Sequence, residues 1–183
     1  MSVDIEGVKS RIEKPPVLFH ASRNRNVTVF EPRAERVRDK KEGARVFATP
    51  DKRLATVFLV DTDDSWANSG VSNGVPYIVI SDEKRFKDAD TGGAIYSLPP
   101  ASFETDVTKG LRENEWTSAE AVIPIGKEEY SSAFEAMLDS GVQVYFVDAT
   151  TYEAFESAED HGISLLRSLT SENTRLNRNP ASV

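Results

Sequence analysis

The apolar residues of this chain are concentrated in short runs, and these runs constrain the fold more than any other feature. The runs are three to six residues long and are bounded mostly by Pro, Gly or polar residues; they cover residues 17–19, 46–48, 75–80, 94–98 and 142–147. Runs of this length are typical of buried strands. Helical patterns do not alternate regularly with them, which disfavours a doubly wound fold. The sequence therefore predicts an α+β fold with a mainly antiparallel, split or curved sheet of about six or seven short strands and few short helices.

Length and charge restrict the domain organisation and the classes of function. The 183 residues are enough for one domain with a substantial core. We expect a leader over residues 1–15, a domain over 16–149, and a C-terminal helix with a mobile tail over 150–183. A net charge of -8 disfavours nonspecific binding to nucleic acids and to anionic membranes. No apolar run is long enough to span a membrane and residues 1–14 lack the apolar core of a secretory signal, so we expect a cytoplasmic protein.

The chain has no cysteine, which excludes disulfides, a cysteine zinc site and thiol catalysis. Its two histidines, His20 and His161, are far apart in the sequence, so we expect no metal centre. His20 ends the first apolar run and is followed by the small residues Ala21 and Ser22. A titratable ring at the end of a buried strand, beside small residues, is typical of nucleotide sites. A hydrogen-bonded structural histidine is the alternative, and for a lone histidine it is the commoner one.

A second candidate site is the end of the run at residues 46–48. Thr49 is a possible helix N-cap there, followed by Pro50 at the first helical position, and the next apolar residues up to Phe58 have helical spacing. A strand that leads into a helix leaves backbone N–H groups pointing outward, which favours an anion or a polar amide.

A third candidate site is the acidic segment that precedes Trp116. Glu115 could be held against the apolar wall of the indole, where a carboxylate is poised for chemistry. The alternative is a surface strand with alternating charge, since Glu113 and Glu115 share one face under a period of two. Glu120, four residues after Trp116, is a rival for the functional glutamate.

Taken in order, these motifs resemble the ADP-ribosyltransferase superfamily, in particular the branch with a His-Tyr-Glu triad that contains the poly(ADP-ribose) polymerases and the diphtheria-type toxins. His20-Ala21-Ser22 stands where that family has His-Gly-Ser. The segment ARVFATPDKRLATVF, residues 44–58, stands where it has GIYFAD and a helix that ends on tyrosine. Asn114-Glu115-Trp116 stands where it has Asn-Glu-Tyr. The resemblance covers about residues 16–124 as scattered short motifs.

The resemblance implies that NAD, or another ADP-ribosyl-containing ligand, is bound as a substrate, without a metal, in a cleft between two half-sheets. His20 would hydrogen-bond a ribose hydroxyl, and the Ala21 backbone would pair with the nicotinamide amide. Phe58 would stack on the nicotinamide ring, with Tyr96 as a second candidate for this contact. Glu115 would hold the 2'-hydroxyl of the nicotinamide ribose and stabilise the oxocarbenium-like charge that develops as the glycosidic bond breaks. The predicted NAD-binding residues are completed by Ser22, Phe47 and Thr49.

The chain also departs from the pattern of the family. Val46 or Phe47 occupies the place of the triad tyrosine, so Tyr96, on another strand, is the candidate for the third catalytic residue beside His20 and Glu115. Ala21 replaces a glycine. These departures leave open a catalytically inactive module that binds a nucleotide or a protein, and a small interaction protein that acts through its acidic surface without a ligand. The acceptor of the ADP-ribosyl group and the oligomeric state do not follow from the sequence.

Overall fold

The computed structural model describes residues 12–34, 41 and 43–178. This part of the chain contains nine strands, six α-helices and a 3-10 helix at Arg112–Asn114. The strands are β1 (Leu18–Ser22), β2 (Val46–Ala48), β3 (Ala67–Ser72), β4 (Val75–Ile80), β5 (Gly93–Leu98), β6 (Phe103–Glu104), β7 (Trp116–Ser118), β8 (Gly126–Tyr130) and β9 (Gln143–Phe146). The helices are α1 (Lys52–Val57), α2 (Glu83–Ala89), α3 (Ala133–Ser140), α4 (Ala149–Ser157), α5 (Ile163–Leu166) and α6 (Glu172–Arg175). The predicted α+β fold with short elements is confirmed.

The strands form three small sheets with the orders β1-β5-β8, β2-β7-β6 and β3-β4-β9. The β2–β7, β6–β7 and β3–β4 pairs are antiparallel, and β4–β9 is parallel. Strands β1 and β2 are joined by one bridge, at which Phe19 and Thr49 exchange backbone hydrogen bonds of 2.8 and 3.0 Å. Since a full ladder would continue past this pair, the two strands separate there. A mainly antiparallel, split sheet was the expectation, and the structure agrees with it.

The chain divides into two compact units, and neither is continuous in the sequence. The first unit takes its described residues from 1–20, 26–52 and 96–127, and the second from 21–25, 53–95 and 128–183. These spans differ from the predicted spans of 1–15, 16–149 and 150–183, and residues 1–11 of the predicted leader lie outside the described residues. The first unit has an apolar core that includes Leu18, Phe30, Phe103 and Trp116.

A β-hairpin occupies a segment of the second unit whose composition predicts a surface loop. Residues 61–74 are rich in Asp, Ser, Asn and Gly, yet β3 pairs with β4 over all six of its residues, from Ala67↔Ile80 to Ser72↔Val75. The connecting residues Asn73 and Gly74 have φ of 51° and 74°, as a two-residue hairpin turn requires. The turn and the apolar partner strand therefore determine the conformation of β3, although β3 itself is polar.

The spacing of apolar residues predicts one amphipathic helix over residues 127–140, and the second unit corrects this prediction. Residues up to Tyr130 belong to β8, and α3 starts only at Ala133. The Ser132 hydroxyl caps this helix, and the Asp90 carboxylate accepts the backbone N–H groups of Ala133 at 2.7 Å and Phe134 at 2.9 Å. Because these acceptors satisfy the first N–H groups, they fix the start of the helix.

The C-terminal segment contains more structure than the predicted mobile tail. The sequence predicts a helical segment over residues 152–169 that is interrupted near Gly162, and this interruption separates α4 from α5. Residues 171–178, however, include α6, and the Asn173 side chain is fully buried. It donates to the Val142 carbonyl at 2.8 Å and accepts the Val144 N–H at 3.1 Å. A single buried amide thus anchors a polar segment; residues 179–183 lie outside the described residues.

Protonation of the Asp148 carboxylate at low pH should weaken the N-cap of α4 in the second unit. Hydrogen bonds from the Thr151 hydroxyl and backbone N–H lower the pKa of Asp148, the N-cap of α4, below its ordinary value of 3.8. A carboxyl pKa that is lower in the folded state contributes stability above pH 3.8, and this contribution is lost as the pH falls through the folded pKa. We expect Asp148→Ala to destabilise the protein at neutral pH and to cost less at about pH 2.5.

Urea unfolding at the two pH values measures this effect. Asp148→Asn is the matched control, because asparagine caps a helix about as well as aspartate and does not titrate. The free energy difference between the Asn and Ala variants should stay constant between the two pH values. A wild-type advantage over the Ala variant that persists unchanged in acid would contradict the prediction.

Candidate functional site

His20 lies in β1, directly after the bridge that joins β1 to β2. Its Nδ1 lies 2.5 Å from the backbone carbonyl of Phe47. Because a carbonyl can only accept, Nδ1 carries a proton and donates it in this contact. In a regular antiparallel pair this carbonyl would accept from the backbone of β1, so the imidazole takes the place of a ladder bond. The ring is thereby held at the point where the strands separate.

Two aromatic side chains support His20 from behind. The His20 and Phe30 rings lie 4.5 Å apart, and Phe30 packs edge-on against Tyr96 at 5.1 Å. Tyr96 is only 2% exposed, and its hydroxyl accepts the Val27 N–H at 3.0 Å. These contacts give Tyr96 a structural role in orienting His20; its predicted catalytic role stays a prediction. Sequence reasoning did not single out Phe30, which lies between them.

Glu115 directly precedes β7 on the other side of β2. Its backbone is extended, with φ of -124° and ψ of 122°, and so continues the direction of the strand. The loop that precedes Glu115 folds back onto this residue, because the Thr105 hydroxyl donates to the Glu115 carbonyl at 2.8 Å. The Trp116 indole is buried and donates to the Glu113 carbonyl at 3.0 Å. The half-buried Glu115 is therefore held in place by its own backbone and by its neighbours.

The register of β2 and β7 shows which side chains share a face of this sheet. Val46↔Ser118 and Ala48↔Trp116 are buried pairs, and the pair between them, Phe47↔Thr117, is half-buried. Side chains alternate along a strand, so Glu115 emerges on the same face as Thr117 and Phe47. Sequence reasoning did not identify Thr117, although the period of two from Glu115 would have pointed to it.

The two principal candidates thus lie on either side of β2, His20 within β1 and Glu115 directly before β7. The Nδ1 of His20 contacts the backbone of β2 at Phe47, and Glu115 adjoins the residue paired with Ala48. Two strand spacings separate the backbones of β1 and β7, or about 10 Å where the strands are paired. The alternation of side chains along paired strands would direct His20 to the face of the sheet opposite Glu115. The hydrogen bond from Nδ1 to the Phe47 carbonyl instead holds the imidazole ring at the point where β1 and β2 separate.

The hydroxyls of Thr49 and Ser22, two further predicted NAD-binding residues, accept local hydrogen bonds. Thr49 is buried, and its Oγ1 accepts the Asp51 N–H at 3.1 Å, which organises the turn before α1. In the second unit, the Ser22 hydroxyl accepts the Asn24 N–H at 3.1 Å. These two hydrogen bonds do not test whether Thr49 and Ser22 bind NAD, so that role stays a prediction for both residues.

Two more predicted NAD-binding residues, Ala21 and Phe58, belong to the second unit. Ala21 continues β1 after His20 and is half-buried. Phe58 directly follows α1 and is 50% exposed, which is unusual for a phenylalanine and compatible with a ring that stacks on a ligand. Their predicted contacts with nicotinamide stay predictions.

The position of Glu120 makes it a weaker candidate than Glu115. It is exposed and lies in a bend after β7, where its N–H donates to the Ser118 hydroxyl at 3.1 Å. Unlike Glu115, it does not adjoin a residue paired with β2. The geometry therefore favours Glu115 as the glutamate of the site.

Within the described ranges, 12–34, 41 and 43–178, no group of His, Asp or Glu side chains could hold a metal ion. No helix in the same ranges is long and apolar enough to cross a membrane. Comparisons of the chain with protein-family models, with curated proteins and with solved structures found no match.

Proposed function

We propose that this protein binds NAD and is an ADP-ribosyltransferase-like enzyme that cleaves or transfers at the anomeric carbon of the nicotinamide ribose. The observation that supports this most is that His20 in β1 and Glu115 just before β7 lie on either side of β2, beside the split between β1 and β2. In the family that the motifs resemble, NAD lies between two half-sheets and contacts these two residue types. The split and the two side chains occur together in this chain.

Each residue has a definite role in the proposed reaction. The Nε2 of His20 hydrogen-bonds a ribose hydroxyl, because Nδ1–H is directed to the Phe47 carbonyl. The bond between the anomeric carbon and the nicotinamide nitrogen breaks, and its electron pair leaves with nicotinamide. The Glu115 carboxylate holds the 2'-hydroxyl and offsets the positive charge that develops on the ribose. The acceptor nucleophile, which can be water, then bonds to the anomeric carbon and loses its proton.

The second candidate function is a non-catalytic module that binds a nucleotide or a protein with the same residues. Phe47 favours it, since this residue or Val46 stands where the resembled family has tyrosine and neither carries a hydroxyl. The Tyr96 hydroxyl accepts the Val27 N–H within the core, which limits its use as a replacement. Glu115 favours the enzyme, because a binding module has no need of a carboxylate at the reacting ribose.

Ligand-dependent thermal unfolding tests the binding that both candidates share. NAD, ADP-ribose and nicotinamide are each added at millimolar concentration to the wild type and to His20→Ala. A ligand at a hundred times its dissociation constant stabilises the folded state by about 2.7 kcal/mol, which raises the unfolding midpoint measurably. We expect a shift with NAD or ADP-ribose in the wild type and its loss in His20→Ala.

The second histidine provides the matched control. His161 is exposed and has a φ of 57°, a conformation that asparagine tolerates well, so His161→Asn should unfold normally and keep the full ligand shift. Each shift is taken relative to the ligand-free midpoint of the same variant. No shift of the wild type with any of the three ligands would contradict the proposal that the protein binds NAD.

A further inference from the structure

The two outer edges of the β3-β4-β9 sheet differ in how they are protected. The edge at β9 is covered by Asn173, whose buried amide satisfies the Val142 carbonyl and the Val144 N–H. A side chain thus substitutes for a fourth strand at that edge. Natural sheets are commonly protected in this way, because an open edge can pair with another chain.

The edge at β3 lacks three devices that commonly block such pairing: charge, proline and a bulge. β3 carries no charge and no proline, and its unbroken register with β4 contains no bulge. Ser72 and Val75 flank the two-residue turn and form the first hydrogen-bonded pair, so Ser69 and Val71 direct their backbone groups away from β4. Within the described part of the chain, these outward N–H and C=O groups have no hydrogen-bond partner.

We infer that β3 is a docking edge for a second copy of this chain, which pairs antiparallel through its own β3 about a two-fold axis at Gly70. In this register the outward residue Ser69 lies opposite Val71 of the second copy, and Val71 opposite its Ser69. Each outward pair exchanges two backbone bonds, about four in all. This inference is independent of the proposed function.

Charge at the two ends of β3 favours a second copy over an unrelated extended segment. Arg53 donates to the Gly74 carbonyl at 2.8 Å and so lies at the turn end of the strand. Asp64 lies just before the other end and is exposed, and its neighbour Asp63 is paired with Arg85 at 3.4 Å. Antiparallel pairing brings the turn end of one copy to the start of β3 in the other, so Arg53 and Asp64 face each other twice. No charged residue within β3 opposes the contact.

Sedimentation velocity over a micromolar to millimolar concentration series tests the inference, with the full chain. We expect a concentration-dependent dimer in the wild type. Val71→Pro removes one outward N–H from each copy, and proline is accepted at an edge position whose N–H faces away from the sheet. It should raise the concentration at which half of the protein is dimeric by about tenfold or more. Val71→Thr keeps the N–H and should dimerise like the wild type.

Charge exchange tests the register. Arg53→Glu and Asp64→Arg, each alone, should weaken the dimer, and an equimolar mixture of the two variants should restore it, because both contacts then join opposite charges. Thermal unfolding of each variant confirms that it is folded. A wild type that is monomeric throughout the series would overturn the inference and leave the edge to an extended segment of another protein. A dimer unaffected by Val71→Pro would also overturn it.

Discussion

The Glu115→Gln protein is expected to release nicotinamide from NAD at least about a hundredfold more slowly than the wild type. Glutamine has the size of glutamate and can still hydrogen-bond a ribose hydroxyl, so binding of NAD should be largely retained. It cannot offset the positive charge of the oxocarbenium-like transition state. The loss should therefore fall on the rate of the chemical step, which single-turnover measurement of nicotinamide release reports.

Two neighbouring glutamates serve as controls for this prediction. Glu113 is exposed and contributes its backbone carbonyl to Trp116, and Glu120 is exposed in the bend after β7. Glu113→Gln and Glu120→Gln should therefore react at nearly the wild-type rate. A large loss in Glu120→Gln with a normal rate in Glu115→Gln would transfer the role to Glu120. A wild type that binds NAD and releases no nicotinamide would support the non-catalytic module instead.

The fold class could be predicted because its signals are local. Short apolar runs bounded by turn residues identify β2, β4, β5 and β9, and the stop at Gly162 separates α4 from α5. β3 was missed because its residues are polar, and its conformation comes from pairing with β4. The signal that could have found it is the Asn73-Gly74 dipeptide before an apolar strand. The polar composition of residues 171–178 predicts a tail, because burial of Asn173 depends on distant backbone at β9 and leaves no local signal.

The candidate site could be predicted only as a set of residue types. The sequence places His20 at a strand end and Glu115 before another strand, but it does not state that β2 lies between those strands. That arrangement depends on pairing between residues far apart in the chain, such as Phe19 with Thr49 and Ala48 with Trp116. No hairpin turn joins these strands, so no local pattern encodes their order and register. The role of Phe30 behind His20 could not be predicted for the same reason.

Gly92→Ala, which adds a single methyl group, is expected to lower the free energy of unfolding more than the other substitutions proposed for this protein. Gly92 is buried with a φ of 64°, and an added Cβ would lie 2.1 Å from the Tyr130 carbonyl oxygen and 2.6 Å from the Ser131 carbonyl carbon. Both are backbone atoms, so no side-chain rotation can relieve the contact. The Gly92 N–H also donates to Asp90, whose carboxylate caps α3. Displacement of this segment would therefore disturb the start of that helix.

Gly74→Ala is the control that separates the free energy cost of the clash from the cost of the backbone conformation. Gly74 has a similar φ of 74°, but an added Cβ there would meet no atom within 4 Å. An alanine in this conformation costs about 1–2 kcal/mol, which is the whole effect expected at Gly74. Gly92→Ala carries the same conformational cost together with the backbone clash, so we expect about 4 kcal/mol or more. Urea unfolding of the two variants measures the difference, and equal losses would show that the contact with residues 130 and 131 does not constrain the segment.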